Sequence, residues 1–357
     1  MSRPIQALID LAAIEHNLSV VRRYAPRSRV MAVIKADAYG HGLLRAADAL
    51  KRAEGFAMLE IDAAVRLREA GYRQTILLLE GFFSIEELAW IEQYHLSTVV
   101  HHHEQLAMLS AYRPRGSLNV FLKLNTGMNR LGFTLDQFPA ALETLKANPA
   151  VGQITLMTHF ARADESGGKE SVAAQLQRFN AVAEARNLPR SLANSAAILR
   201  YPETHADWVR PGIMLYGASP FPDKTAGELD LHPAMTISSK IIAVQTLKSG
   251  EGVGYGHMFC ADRPMRTGIV AGGYADGYPR HAPAGTPVLV HGRRARLIGR
   301  VSMDMLNVDL SGIEDAGVGS RVTLWGKGLP VDEVAESAGT VSYELLCALA
   351  SRMQIVT

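Results

Sequence analysis

The sequence predicts an α/β protein in which a TIM-like (β/α)8 barrel is followed by a mostly β domain. Three observations predict it. Over roughly the first 215 residues, short β-rich apolar runs alternate with charged segments of helical period. Eight such runs occur, the number that closes a barrel. Beyond about residue 230, short strand-like runs follow one another, with Gly and Pro between them and little helix.

The barrel strands are expected at Val30–Ile34, Gly55–Leu59, Thr75–Leu79, Ser97–Val100, Leu118–Leu124 and Val151–Met157, with weaker runs at Ser191–Ala193 and Asp207–Val209. Between them, Ile61–Ala70, Ile85–Gln93 and Glu170–Arg186 read as surface helices. Such alternation means βα units and a parallel sheet. An open doubly wound sheet competes with the barrel, but no GxGxxG opens a helix after a strand. In the second part, Thr236–Gln245, Arg266–Val270, Pro287–Val290, Ala295–Ile298, Met305–Leu310 and Arg321–Trp325 are strand-like. GEGVGYGH, GGYADGYPRHAPAGTP and LSGIEDAGVGS punctuate them, and Asp332–Ser337 and Tyr343–Ser351 are helical. The boundary falls in SPFPDKTAGELDLHP, giving units 1–230 and 231–357. The segment Ile5–Asp10 suits either unit.

Composition narrows the function classes. Of 357 residues, 48% are hydrophobic and 20% charged, ordinary for a packed globular chain. The net charge of +2 and the lack of a basic block argue against a nucleic-acid partner. No window reaches the roughly 18 apolar residues of a membrane helix, and acidic residues interrupt the N-terminal MSRPIQALIDLAAIEHNL where a signal peptide would be apolar. Two distant cysteines, Cys260 and Cys347, make no disulfide framework and fit a reducing, cytoplasmic setting.

Chemistry in a barrel of this kind sits at the C-terminal ends of the strands. The first run stops on Lys35, with Tyr39, Gly40, His41 and Gly42 just behind, and the two glycines let the chain turn closely. The fifth carries Lys123 and runs into NTGMNRLG, with Arg130. The sixth ends at Thr158–His159, the seventh is followed by Asn194–Ser195, and the eighth by Arg210–Pro211–Gly212–Ile213. Loops after strands seven and eight commonly bind phosphate through free backbone N–H groups. A lysine buried at a barrel mouth loses its proton more readily and becomes a nucleophile. A phosphate cradle opposite such a lysine is what pyridoxal 5′-phosphate requires.

The blocks VIKADAYGHG, LKLNTGMNRLGF, HFARADE, VRPGIMLYG, VGYG, GYADGYPR and VSMDM, in this order, resemble the signature blocks of the alanine racemases. The likeness spans nearly the whole chain and leans toward the catabolic type. It implies a pyridoxal phosphate isomerase that interconverts L- and D-alanine, a supply of D-alanine for peptidoglycan precursors or alanine catabolism, and a homodimer with each site at the subunit interface. It implies that Lys35 tethers the cofactor and serves as one base, and that Tyr255 from the other subunit is the opposing base. Tyr39, Ser195, Gly212, Ile213 and Tyr343 would hold the phosphate, with Asn194 beside them. Arg210 would hydrogen-bond the pyridine nitrogen, and His159 would link Tyr255 to Arg210. Arg130 would meet the phenolic oxygen and the substrate carboxylate, and the partner's Met303 that carboxylate through its N–H. Asp164, Tyr274, Arg280 and Arg300 resemble an entryway. Lys123 faces the same mouth as Arg130; carbamylation by CO₂ would turn repulsion between cations into a charge-assisted hydrogen bond.

An arginine has no acceptor, so it cannot encourage protonation of the pyridine nitrogen as an aspartate would. The ring is then a weaker electron sink, which favours return of a proton to Cα over transamination. Other readings remain: a serine or broad-specificity racemase of the same fold, a decarboxylase, which would need an acid where Arg210 stands, and a non-catalytic pyridoxal phosphate carrier. His101–His103 suggests a metal cluster, but neighbouring side chains point different ways, so a helix start with solvated imidazoles is expected and no metal. Asp304 and Asp309 lack a partner carboxylate for acid–base work and read as structural.

Overall fold

In the computed structural model, which describes residues 3–183 and 186–357, the chain opens with strand β1 (Gln6–Ile9) and helix Leu11–Tyr24. Asp10 caps that helix, its side chain accepting from the Ala13 N–H at 3.0 Å. Eight parallel strands follow: β2 (Arg29–Val33), β3 (Gly55–Met58), β4 (Thr75–Leu78), β5 (Ser97–Val100), β6 (Leu118–Lys123), β7 (Val151–Met157), β8 (Arg190–Asn194) and β9 (Trp208–Arg210). They close into a barrel because β2 pairs with both β3 and β9. The strands are buried almost end to end, as helices cover one face and packed side chains the other; β3 and β5 expose no residue. The closed barrel is the predicted architecture, and the open sheet is excluded.

The second part is built on β10 (Met235–Leu247). After it come β11 (Gly252–Val253), β12 (Phe259–Cys260), β13 (Met265–Ala271), β14 (Pro287–Val290), β15 (Arg293–Arg296), β16 (Met305–Asp309), β17 (Arg321–Trp325) and β18 (Gln354–Val356). Strand β10 is long enough to pair with β17 and β1 near its start and with β13 near its end. The segment Ile5–Asp10 therefore enters the second sheet: β1 lies between β10 and β18, with Ala7 and Ile9 buried on one face. One hydrophobic core runs from Ile5 through the barrel to Met353, so the two parts share an interior.

Some expected elements change. The last helix stops at Cys347 rather than Ser351, and the chain turns back to add β18. Helix Glu170–Arg186 is observed as Lys169–Ala183; Glu184 and Ala185 lie outside the described residues. The β11–β12 ladder has two residues on each side, too few to show a period in sequence.

Candidate active site

Strand β2 ends at Val33, and Lys35 stands two residues on, at the C-terminal rim. From there the backbone turns left-handed. Ala36, Asp37, Ala38 and Tyr39 have φ of 53°, 52°, 56° and 53°, before Gly40 at 78°. Four L residues in this region cost roughly 1–2 kcal/mol each. The two glycines do turn the chain, with Gly42 at 91°, but the left-handed stretch begins four residues before them. Hydrogen bonds hold the strained segment: Gly40 N–H to Ala36 O at 3.1 Å, Gly42 N–H to Asp37 O at 2.9 Å, and Leu43 N–H to the Asp37 carboxylate at 2.7 Å. Strain kept at such expense marks functional segments.

The turn carries Tyr39 toward two short helices, Ser195–Arg200 and the 3₁₀ turn Ile213–Tyr216. Their N-termini meet: the Gly212 N–H donates to the buried Ser195 Oγ at 2.9 Å. Asn194 caps the first, accepting from the Ala197 N–H at 3.0 Å. A Cβ on Gly212 would lie 2.6 Å from the Tyr39 hydroxyl, so only glycine leaves room there. Tyr343 closes the corner, its ring 6.1 Å from that of Tyr39, and burial raises both phenols' pKa values. Ile213 is fully buried at the start of the 3₁₀ turn.

Beside this corner lies Arg210, on β9 and 3% exposed. Its two amino groups donate to Ser191 Oγ at 2.7 Å, Thr158 O at 2.7 Å, Leu192 O at 3.1 Å and His159 Nδ1 at 3.3 Å. Its Nε takes part in none of these bonds. Burial pulls its pKa down to about 9, which leaves it charged at neutral pH. His159 has a donor at each ring nitrogen, Arg210 at Nδ1 and the Asn194 amide 3.5 Å from Nε2, which disfavours a proton on both and keeps the imidazole neutral. Burial, then Arg210, Lys123, Arg130 and Lys35, hold that imidazole well below its usual range.

Lys123 is 7% exposed at the end of β6, and burial, with Arg210 and Arg130 adding to it, pulls its pKa down to about 8. Arg130 stands on the loop after β6, which Asn125 folds by accepting from the N–H groups of Gly127 and Asn129. Lys123, Arg130 and His159 line one recess, and an open cleft of about 410 Å³ continues past Arg130 to His101 and His102. Among the described residues, none of Lys35, Lys123, Arg130 and Arg210 forms an ion pair with a carboxylate. The mouth is thus a cluster of cations that calls for an anionic occupant.

Other expected residues lie elsewhere. Tyr255 and Met303 sit on the second domain, 73% and 52% exposed. Arg300 adjoins the Tyr255 turn, its guanidinium 3.7 Å from where a Gly256 Cβ would be. Arg280 lies over the Tyr274 ring at 6.0 Å. Asp164 is near enough to Tyr343 to raise its pKa. His101 is a correction: it is half-buried, with Nε2 donating to Glu80 O at 3.1 Å, whereas His102 pairs with Glu104 and His103 packs edge-on against Phe133. Asp304 engages Arg3 and Arg352, and Asp309 engages Arg296.

Sequence reasoning missed the groups that hold these residues. Buried Gln175 donates to Thr126 Oγ1 and His159 O and accepts from the Ala161 N–H, tying the loops after β6 and β7 together. Ser191 and Tyr216 do similar work, the latter donating to Val33 O at 2.9 Å. A polar residue inside a helical or strand pattern carries no sign of this role.

Residues 9–220 match the family model for the alanine racemase N-terminal domain, and residues 234–357 that for the alanine racemase C-terminal domain. A curated alanine racemase of Nitrosospira multiformis is 76% identical over 357 residues, all of both chains. One from Nitrosomonas europaea is 64% identical, covering 100% of this chain and 99% of its own. The crystal structure of a biosynthetic alanine racemase from Pseudomonas aeruginosa superposes with a TM-score of 0.97 at 47% identity, over 99% of each chain.

Proposed function

The chain belongs to the alanine racemase family and interconverts L- and D-alanine, and on that premise we propose that it does so with pyridoxal 5′-phosphate held at the barrel mouth, in a homodimer. The observation that carries this is the corner of Tyr39, Ser195 and Gly212 beside Lys35, on a rim crowded with unpaired cations. These residues fit the cofactor. Two helix N-termini and two phenols suit its phosphate, and Arg210, with Nε outside its other bonds, suits the pyridine nitrogen. When bound, the cofactor supplies the electron sink that acidifies the substrate's Cα–H.

Lys35 tethers the cofactor and moves a proton on one face of Cα. Tyr255 of the partner subunit moves it on the other. Two fixed bases on opposite faces invert the centre without either having to swing across. Arg210 stays charged and rigid through its four bonds, and passes order to His159 through the 3.3 Å contact. Arg130 and the backbone N–H of the partner's Met303 hold the substrate carboxylate. Lys123 is carbamylated: its amine adds CO₂, loses a proton and becomes an anion between Arg210 and Arg130. Asp164, Tyr274, Arg280 and Arg300 form the entryway.

Dimerisation is supported by the surface of the second domain, where Tyr255, Met258, Met303 and Met305 are 45–73% exposed. Among the described residues no helix is long and apolar enough to cross a membrane; the proposed setting is the cytoplasm. The test is direct. The purified protein should bind pyridoxal phosphate and convert L-alanine to D-alanine, and Lys35→Ala should abolish conversion. A protein that holds the cofactor yet leaves alanine and serine unchanged would overturn this reading.

A further inference from the structure

His41 is wholly buried, and its Nε2 has no hydrogen-bond partner among the described residues. Leaving a buried polar atom unpaired costs about 1–3 kcal/mol, so its retention needs a reason. Nδ1 provides one. It lies 3.0 Å from Ala38 O and 2.9 Å from Tyr39 O. Both partners are carbonyls, so Nδ1 carries the proton and donates to both, and Nε2 is the bare nitrogen. Burial drops the pKa to about 4, which keeps the ring in this neutral state.

The two carbonyls belong to Ala38 and Tyr39, the last two non-glycine residues of the left-handed turn, with φ of 56° and 53°. The ring stacks on Tyr216 at 4.6 Å, and Tyr216 stacks in turn on Tyr39 at 4.7 Å. Tyr216 also holds the end of β2 through Val33 O. The His41 backbone is fixed as well, its carbonyl accepting from Arg45 at 2.8 Å. Both Nδ1 contacts thus fall on the segment between Lys35 and Tyr39, and the ring reaches the same segment through Tyr216. We propose that His41 is a positioning residue, whose Nδ1–H clamps the strained turn and so sets Lys35 and Tyr39 in register for one cofactor. The inference rests on the reading of Lys35 and Tyr39 given above.

His41→Phe keeps the stacked ring and removes the donor. His41→Asn places an amide N–H near the position of Nδ1, and His41→Gln places it near Nε2 instead. Cofactor retention by the full-length holoenzyme is measured by equilibrium dialysis and absorbance, with melting temperature in parallel. His41→Phe should bind pyridoxal phosphate about tenfold more weakly, and His41→Asn within about threefold of wild type. Pyridoxal without phosphate should show a smaller loss, because it does not use Tyr39. Equal retention by wild type and His41→Phe would overturn the proposal, as would a fall in melting temperature with retention unchanged. If His41→Phe does not fold, the comparison is His41→Asn with His41→Gln: retention kept by the first and lost by the second supports the clamp, and equal retention overturns it. A wild-type protein that retains no cofactor would instead overturn the functional reading.

Discussion

Gly212→Ala adds one methyl group and tests whether the corner around Tyr39 is a phosphate site. The new Cβ would stand 2.6 Å from Tyr39 Oη, 3.4 Å from its Cζ and 3.8 Å from Val33 Cβ. Unstrained contacts lie near 3.5–4.0 Å, so the hydroxyl contact is short by roughly 1 Å. Tyr39 cannot simply retreat. It is 6% exposed and stacked on Tyr216 at 4.7 Å, with Tyr343 on another side. Either the phenol leaves the corner or residues 210–213 shift, and overpacking of this kind costs about 1–3 kcal/mol. If that falls on the bound state, cofactor affinity drops about 5- to 150-fold. The assay is a pyridoxal phosphate titration of wild type, Gly212→Ala, Tyr39→Phe and the double variant. Removing the hydroxyl removes the worst overlap, so the methyl should cost less in the Tyr39→Phe background. Unchanged affinity in Gly212→Ala, or equal losses in both backgrounds, would refute the reasoning.

Further outcomes follow from the geometry around Lys123 and Arg210. Lys123 has a folded pKa of about 8 against an ordinary value of 10.5. Between these values the unfolded chain binds the extra proton, so in bicarbonate-free buffer stability should rise from about pH 8 to 10.5, by on the order of 3 kcal/mol, relative to Lys123→Met. At pH 7 about a tenth of the amine is neutral and open to CO₂, so added bicarbonate should raise the melting temperature and activity of wild type and leave Lys123→Met unmoved. In Arg210→Glu, a carboxylate replaces the donor to Thr158 O and Leu192 O, and denaturant melts should show a loss of about 3–5 kcal/mol. The surviving enzyme should release more keto acid per racemisation event; an unchanged ratio would mean that Arg210 does not set reaction choice.

Much of the barrel was legible because buried parallel strands are short, continuous and apolar. Ser97–Val100 and Val151–Met157 lie where expected, and the other barrel strands differ by one residue at one end or at both. Candidate site residues stood out wherever a polar or ionisable side chain follows such a run, as at Lys35, His159 and Arg210. What stayed hidden is conformational or cooperative. Ala36, Asp37, Ala38 and Tyr39 are residues that normally adopt right-handed backbone, and nothing in their side-chain types announces the left-handed turn, which local hydrogen bonds and the close packing of Gly40 against Leu346 O accompany. Gln175 and Ser191 look like ordinary polar positions until the loops they join are in place. His101 looked solvated because its burial depends on a carbonyl at Glu80, on the preceding strand's loop.

The central claim is that each site needs Lys35 of one subunit and Tyr255 of the other. Lys35→Ala and Tyr255→Phe chains, co-expressed with different tags and purified as the heterodimer, test it most directly. In that dimer one site holds both bases and the other holds neither. The account gives about half the wild-type alanine racemase activity per dimer, while each homodimeric variant is inactive. A doubly tagged heterodimer as inactive as its parents would contradict it, because the two bases would then have to come from the same chain.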